Sequence, residues 1–153
     1  MKIKALAKIW NKIRSRGSLE EAVIVGTGHM RYSNGPVISR DFAYCSAVVL
    51  DFGNKGVLFT HTFPSRYFND SAINSSNVVA KLVEGAEQRQ LDPRKSQALV
   101  NAGSEESLDR IVDNLKSEGV PNIVVNRDLA PACRDVSYAP NQGYLVITPF
   151  YHQ

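Results

Sequence analysis

Two short apolar runs, Tyr44-Cys45-Ser46-Ala47-Val48-Val49-Leu50 and Val57-Leu58-Phe59-Thr60-His61, flank the polar stretch Asp51-Phe52-Gly53-Asn54-Lys55-Gly56. Glycine, asparagine and aspartate tolerate φ > 0 and form turns, so this pattern predicts a β-hairpin between two strands rich in β-branched residues. Ahead of it, Ala22-Val23-Ile24-Val25-Gly26 reads as a strand, Thr27-Gly28-His29-Met30 as a glycine-broken loop and Ser33-Asn34-Gly35-Pro36 as a turn. Beyond it, Val78, Val79, Leu82, Val83 and Ala86 recur at helical spacing within residues 74–90, with Asn74, Ser75 and Ser76 available to cap the N-terminus. Leu99-Val100 follows as a strand. Ser104-Glu105-Glu106-Ser107 then opens a second helix carrying Leu108, Ile111, Val112 and Leu115, which Gly119 and Pro121 stop. Ile123-Val124-Val125 is a further strand, and residues 134–147 form a hairpin around Asn141-Gln142-Gly143. This order predicts an α+β layered sandwich, a mostly antiparallel sheet with two main helices packed on it.

The first 17 residues have a different pattern. Ile3, Leu6, Ile9, Trp10 and Ile13 lie three to four residues apart, with lysines and arginines mostly on the opposite side, predicting a basic amphipathic helix that ends at Gly17. Lysines interrupt every apolar run before a secretory core of about 7 residues can form. Two roles fit this helix: contact with an anionic membrane surface through residues 1–16, or packing of its apolar face on the remaining domain, residues 18–153.

Composition narrows the class. With 153 residues, 43% hydrophobic and 22% charged, the chain suits one globular domain with a core of its own. No apolar run reaches the roughly 18–20 residues of a membrane-spanning helix. Two cysteines are too few for a disulfide scaffold, which points to a reducing compartment. Six of the 18 basic side chains lie within residues 1–16, leaving 12 against 15 acidic ones, so the body is mildly acidic. No basic stripe with interleaved aromatics follows, and nucleic acid is not expected as a partner.

The hairpin brings chemistry with it. Cys45 heads one strand and His61 ends the other, so both fall at the open end, and paired strands lie only about 4.8 Å apart. A thiol beside an imidazole is the pairing that nucleophilic catalysis uses. Each residue also has a plainer reading: Cys45 as a core thiol, His61 as a strand-end histidine, His29 as a solvated loop residue, Cys133 as structural. No set of histidines and cysteines has metal-ligand spacing, and the chemistry calls for no metal or organic cofactor.

Taken in order, Val25-Gly26-Thr27-Gly28, Ser39 six positions before Cys45, and His61 followed three residues later by Pro64 resemble the chemoreceptor glutamine deamidase (CheD) family. The resemblance continues through Asn69-Asp70-Ser71-Ala72-Ile73, Ala102-Gly103, residues 117–129 and Tyr144-Leu145-Val146-Ile147, covering roughly residues 21–148. It implies the layered cysteine-hydrolase fold also used by the catalytic domain of cytotoxic necrotizing factor toxins. It further implies a protein-glutamine deamidase, an amidohydrolase working through a thioester, with Cys45 as nucleophile, His61 as base and Ser39 orienting the imidazole. Tyr44, His29 and Thr27 are then expected to line the substrate cleft, and the partner is a protein presenting a glutamine, in chemotaxis or as the target of a bacterial effector. Such a protein would work in the cytoplasm, at a membrane surface or inside a host cell. The chain departs from the family at Ala43-Tyr44, where Gly-Ser is usual, and at Gly56-Val57, where Gly-Gly is usual. Those departures bear on the oxyanion hole and substrate, and two alternatives stand beside the deamidase: an inactive CheD-like protein-binding module and a cysteine hydrolase of small amides.

Overall fold

The computed structural model describes residues 22–65, 71–126 and 133–149. The helix expected over residues 1–17 lies outside them, as do Asn69, Asp70, Asp128 and Leu129 of the family-like segments. The protein is mixed α/β. A four-stranded sheet takes the order β1 (Val23–Ile24), β3 (Val37–Phe42), β8 (Arg134–Tyr138), β9 (Val146–Pro149). A five-stranded sheet takes the order β2 (Met30–Ser33), β5 (Val57–Thr62), β4 (Ser46–Asp51), β6 (Gln97–Asn101), β7 (Asn122–Asn126). β1 with β3 and β6 with β7 pair in parallel, and the other neighbours are antiparallel. Helices α1 (Val78–Gln88) and α2 (Glu105–Ser117) complete it.

Strands β4 and β5 are buried along their whole length, which explains why they read as continuous apolar runs and not as alternating ones. Successive side chains point to opposite faces. Val48, Leu50, Leu58, Ala98 and Val100 pack with Val78, Val79 and Leu82 of α1 and Leu108, Ile111 and Leu115 of α2. Ala47, Val49, Val57, Phe59 and Leu99 pack with Val37, Phe42, Val136 and Tyr138 of the other sheet. The five-stranded sheet is thus the middle layer, with helices on one face and the four-stranded sheet on the other. The single sheet expected from the sequence is corrected to two, because strands buried on both faces need a second cover that two helices on one side do not supply.

Local chemistry sets the element ends. The Ser104 hydroxyl accepts the Ser107 N–H at 3.1 Å and caps α2, whose end is turned by Gly119 at φ 77°. The start of α1 is later than residue 74. Asn74 and Asn77 first form a closed turn, with the Asn74 N–H donating to Asn77 Oδ1 at 2.9 Å, and the helix begins at Val78. At the far end of the hairpin the buried Asp51 carboxylate accepts Gly53 N–H at 2.8 Å, Asn141 N–H at 2.8 Å and the Tyr138 hydroxyl at 2.5 Å. This ties the hairpin turn to the β8–β9 loop and fixes how the two sheets stack.

Candidate active site

The site lies between the two sheets at the open end of the β4–β5 hairpin. Strand register puts His61 of β5 opposite Ala47 of β4, and Ala47 opposite Asn101 of β6. These three side chains form a row across the middle sheet on its inner face. Cys45 precedes β4 by one residue and packs with the same inter-sheet cluster, one step from that row.

A β-bulge builds the opposite wall. In a regular strand Ser39 and Phe42, three residues apart, would point to opposite faces. The register of β3 against β8 shifts between them, and Asp41 adopts φ 63° with its N–H donating to Asp135 Oδ1 at 3.1 Å. Both side chains consequently reach His61. Phe42 stacks on the imidazole with ring centres 3.6 Å apart and planes 8° from parallel. Ser39 Oγ lies 2.8 Å from His61 Nδ1 and donates to the Val25 carbonyl at 2.6 Å. A hydroxyl has one proton, and a carbonyl only accepts. The Ser39 proton therefore goes to Val25, Oγ accepts from Nδ1–H, and the lone pair of the neutral ring is left on Nε2. That atom is buried without a hydrogen-bond partner, Cys45 Sγ included.

Arg134, fully buried, holds the segment that carries the cysteine. Its Nε donates to Asn101 Oδ1 at 2.6 Å, one terminal nitrogen to the Ala43 carbonyl at 2.9 Å and the other to the Cys45 carbonyl at 2.9 Å. Its guanidinium carbon also lies 5.5 Å from the centre of the Phe42 ring. Gly103, two residues past the end of β6, supports the same segment. A side chain there would overlap the Tyr44 carbonyl, and its N–H donates to Ser46 Oγ at 3.1 Å.

Burial decides the charge state. It raises the Cys45 thiol from its ordinary 9.0, with Arg134 opposing in part, and lowers His61 from 6.5 to about 4, with Arg134 adding to the effect. At neutral pH the pair rests as thiol and neutral imidazole, not as the thiolate–imidazolium pair that residue types alone suggest.

The structure joins Ser39 and His61 by a hydrogen bond and sets Cys45 one residue before β4, packed against the inter-sheet cluster. It leaves Tyr44, next to Cys45 in sequence, with 68% of its surface exposed. Thr27 and His29 are exposed on a loop whose backbone, not side chains, holds His61: Gly28 N–H donates to the His61 carbonyl at 2.7 Å and His61 N–H to the His29 carbonyl at 3.1 Å. Phe42, Asn101 and Arg134 were not singled out from the sequence. The signal available was Arg134-Asp135-Val136-Ser137-Tyr138, where alternation places an arginine on the apolar face. Neither Cys45 nor Cys133 is in a disulfide, and among the described residues no group of three or more His, Cys, Asp or Glu could hold a metal ion. Nor is any described helix long and apolar enough to cross a membrane. No protein-family model and no curated protein matches the chain.

Proposed function

We propose that this protein is a cysteine-dependent amidohydrolase that deamidates a glutamine side chain of another protein. The observation that carries the reading is the Ser39–His61 hydrogen bond, which leaves a buried, unpartnered Nε2 lone pair on the face where Cys45 packs. A general base needs that free lone pair, and a neutral ring supplies it at pH 7. The half-buried Cys45 and exposed Tyr44 form the outer end of the site, while His61 and Asn101 lie beneath the surface. An amide carried on a flexible stem, as in glutamine, suits that depth.

In the first step the Cys45 S–H bond breaks, its proton passes to Nε2, and sulfur bonds to the amide carbon while the carbonyl π pair moves onto oxygen. Collapse of that adduct re-forms the carbonyl and breaks the C–N bond, with the Nε2 proton leaving on ammonia. Water then attacks the thioester, giving its proton to Nε2, and the thiol is regenerated as glutamate departs. Moving a proton from a thiol raised by burial to an imidazole lowered to about 4 is uphill. Proton transfer is therefore coupled to S–C bond formation, and the Arg134 charge beside the sulfur offsets part of the rise.

A binding module without activity is favoured by one observation, the lack of a hydrogen bond between Cys45 and His61. By strand alternation their Cβ atoms are diagonal neighbours about 7 Å apart, within reach of a cysteine rotamer change, and such contacts are often loose before substrate binds. Mass spectrometry of glutamine-bearing proteins incubated with wild type and with Cys45→Ala separates the readings. The deamidase converts glutamine to glutamate only with the wild type, and a binding module converts none.

A further inference from the structure

We infer that Asn101 supplies the side-chain donor that holds the carbonyl oxygen of the substrate amide, with Arg134 as the residue that positions it. The inference rests on the deamidase reading and names the group that selects a primary carboxamide.

Two polar side-chain atoms in the site's row are buried without partners, the Nε2 acceptor of His61 and the Nδ2 donor of Asn101. Both residues are completely buried. An amide side chain is ambiguous in orientation unless its partners fix it. Here Arg134 Nε–H at 2.6 Å commits Oδ1 as the acceptor, so Nδ2 is the free end. A charged donor on Oδ1 also polarises the amide and strengthens whatever bond Nδ2–H makes.

His61 and Asn101 flank Ala47, two strand spacings or about 10 Å apart at their Cβ atoms, and Cys45, one residue before β4, packs against the same inter-sheet cluster as Ala47. Ala47, itself completely buried in the inter-sheet cluster, contributes only a methyl between the two flanking groups. A donor on one side, an acceptor on the other and a thiol between them match a primary carboxamide: carbonyl oxygen toward Nδ2–H, nitrogen toward Nε2, carbon toward Sγ. As sulfur adds, the oxygen gains negative charge and the Nδ2–H bond strengthens. The product carboxylate would instead turn an oxygen toward the Nε2 lone pair, which disfavours its retention.

The test uses the full chain with Asn101→Asp and Asn101→Ala. Asp retains an oxygen for Arg134 Nε and replaces the donor with a second acceptor, so the clamp and the melting temperature should survive. Two readouts are taken: turnover of a glutamine-containing peptide, and the ratio of Cys45 modification rates by iodoacetamide, a primary carboxamide, and methyl methanethiosulfonate, which has no carbonyl. Folded Asn101→Asp should lose turnover by about 100-fold or more, and the reagent ratio should fall severalfold in both variants. Wild-type turnover with both variants folded, active within twofold and unchanged in ratio would overturn the role of Asn101 and leave the deamidase reading intact. A wild type that turns over nothing, yet whose reagent ratio collapses in both variants, would overturn the deamidase reading and keep Asn101 as a carboxamide donor.

Discussion

Replacing Ser39 with alanine takes away one hydroxyl and strands two buried groups. Ser39 Oγ donates to the Val25 carbonyl at 2.6 Å and accepts from His61 Nδ1 at 2.8 Å, and Val25, Ser39 and His61 are all shielded from solvent. A buried polar group left without its partner costs about 1–3 kcal/mol, so the variant should lose about 2–4 kcal/mol of folding stability, the two groups sharing one site and not adding fully. The effect on turnover comes from the proton on the ring. With no acceptor at Nδ1, that proton is free to reside on Nε2, where it blocks the base, and a turnover loss on the order of 10- to 100-fold follows even in folded protein. Urea unfolding gives the stability term, and ¹⁵N shifts of the His61 ring report the tautomer directly. Ser39→Thr, which retains the hydroxyl, should restore the Nδ1–H form despite the crowding of an added methyl. A folded Ser39→Ala protein that retains Nδ1–H and full turnover would refute the argument that the hydroxyl sets the tautomer.

Acid should unfold the protein partly through His61, whose folded pKa of about 4 lies below its ordinary 6.5 because of burial and then Arg134. The stability this neutral ring provides is complete above pH 6.5 and lost as pH falls toward 4, a contribution of about 3 kcal/mol. Denaturant unfolding near pH 7 and near pH 4 should show a larger loss for the wild type than for His61→Gln, and equal losses would contradict the burial of a neutral ring. Arg134→Met removes donors from Asn101 Oδ1 and from the Ala43 and Cys45 carbonyls, and should cost about 3–5 kcal/mol in urea unfolding. It should also slow alkylation of Cys45, since the charge that lowers the thiol is gone; unchanged stability and reactivity would show that the guanidinium holds nothing in solution.

The β4–β5 hairpin and both helices were legible because their signals are local: turn residues at 51–56, helical spacing of Val78 to Ala86, and Ser104 as a cap. The second sheet was not. Strand β3 contains Arg40-Asp41, which break its alternation, and the bulge they form is held by Asp135, 94 residues away in sequence. Cys45 and His61 stood out as a thiol and an imidazole at the ends of paired strands, whereas Ser39 was reached only through the order of family-like motifs. Asn101 and Arg134 are an ordinary strand-end asparagine and a strand arginine until β6 and β8 bring them against the cysteine segment. The neutral state of the Cys45–His61 pair was equally hidden, since it follows from burial between two sheets, of which one was unforeseen.

In the proposed reaction the Cys45 sulfur bonds to the carbon of a glutamine amide. Acid-quenching the wild type during incubation with the glutamine-containing peptide and weighing the intact protein tests it most directly. An adduct on Cys45 equal in mass to the peptide less ammonia should appear before glutamate, be absent from Cys45→Ala and fade as the thioester is hydrolysed. Glutamate formed at the full rate by Cys45→Ala, or by a wild type that never carries the adduct, would contradict it.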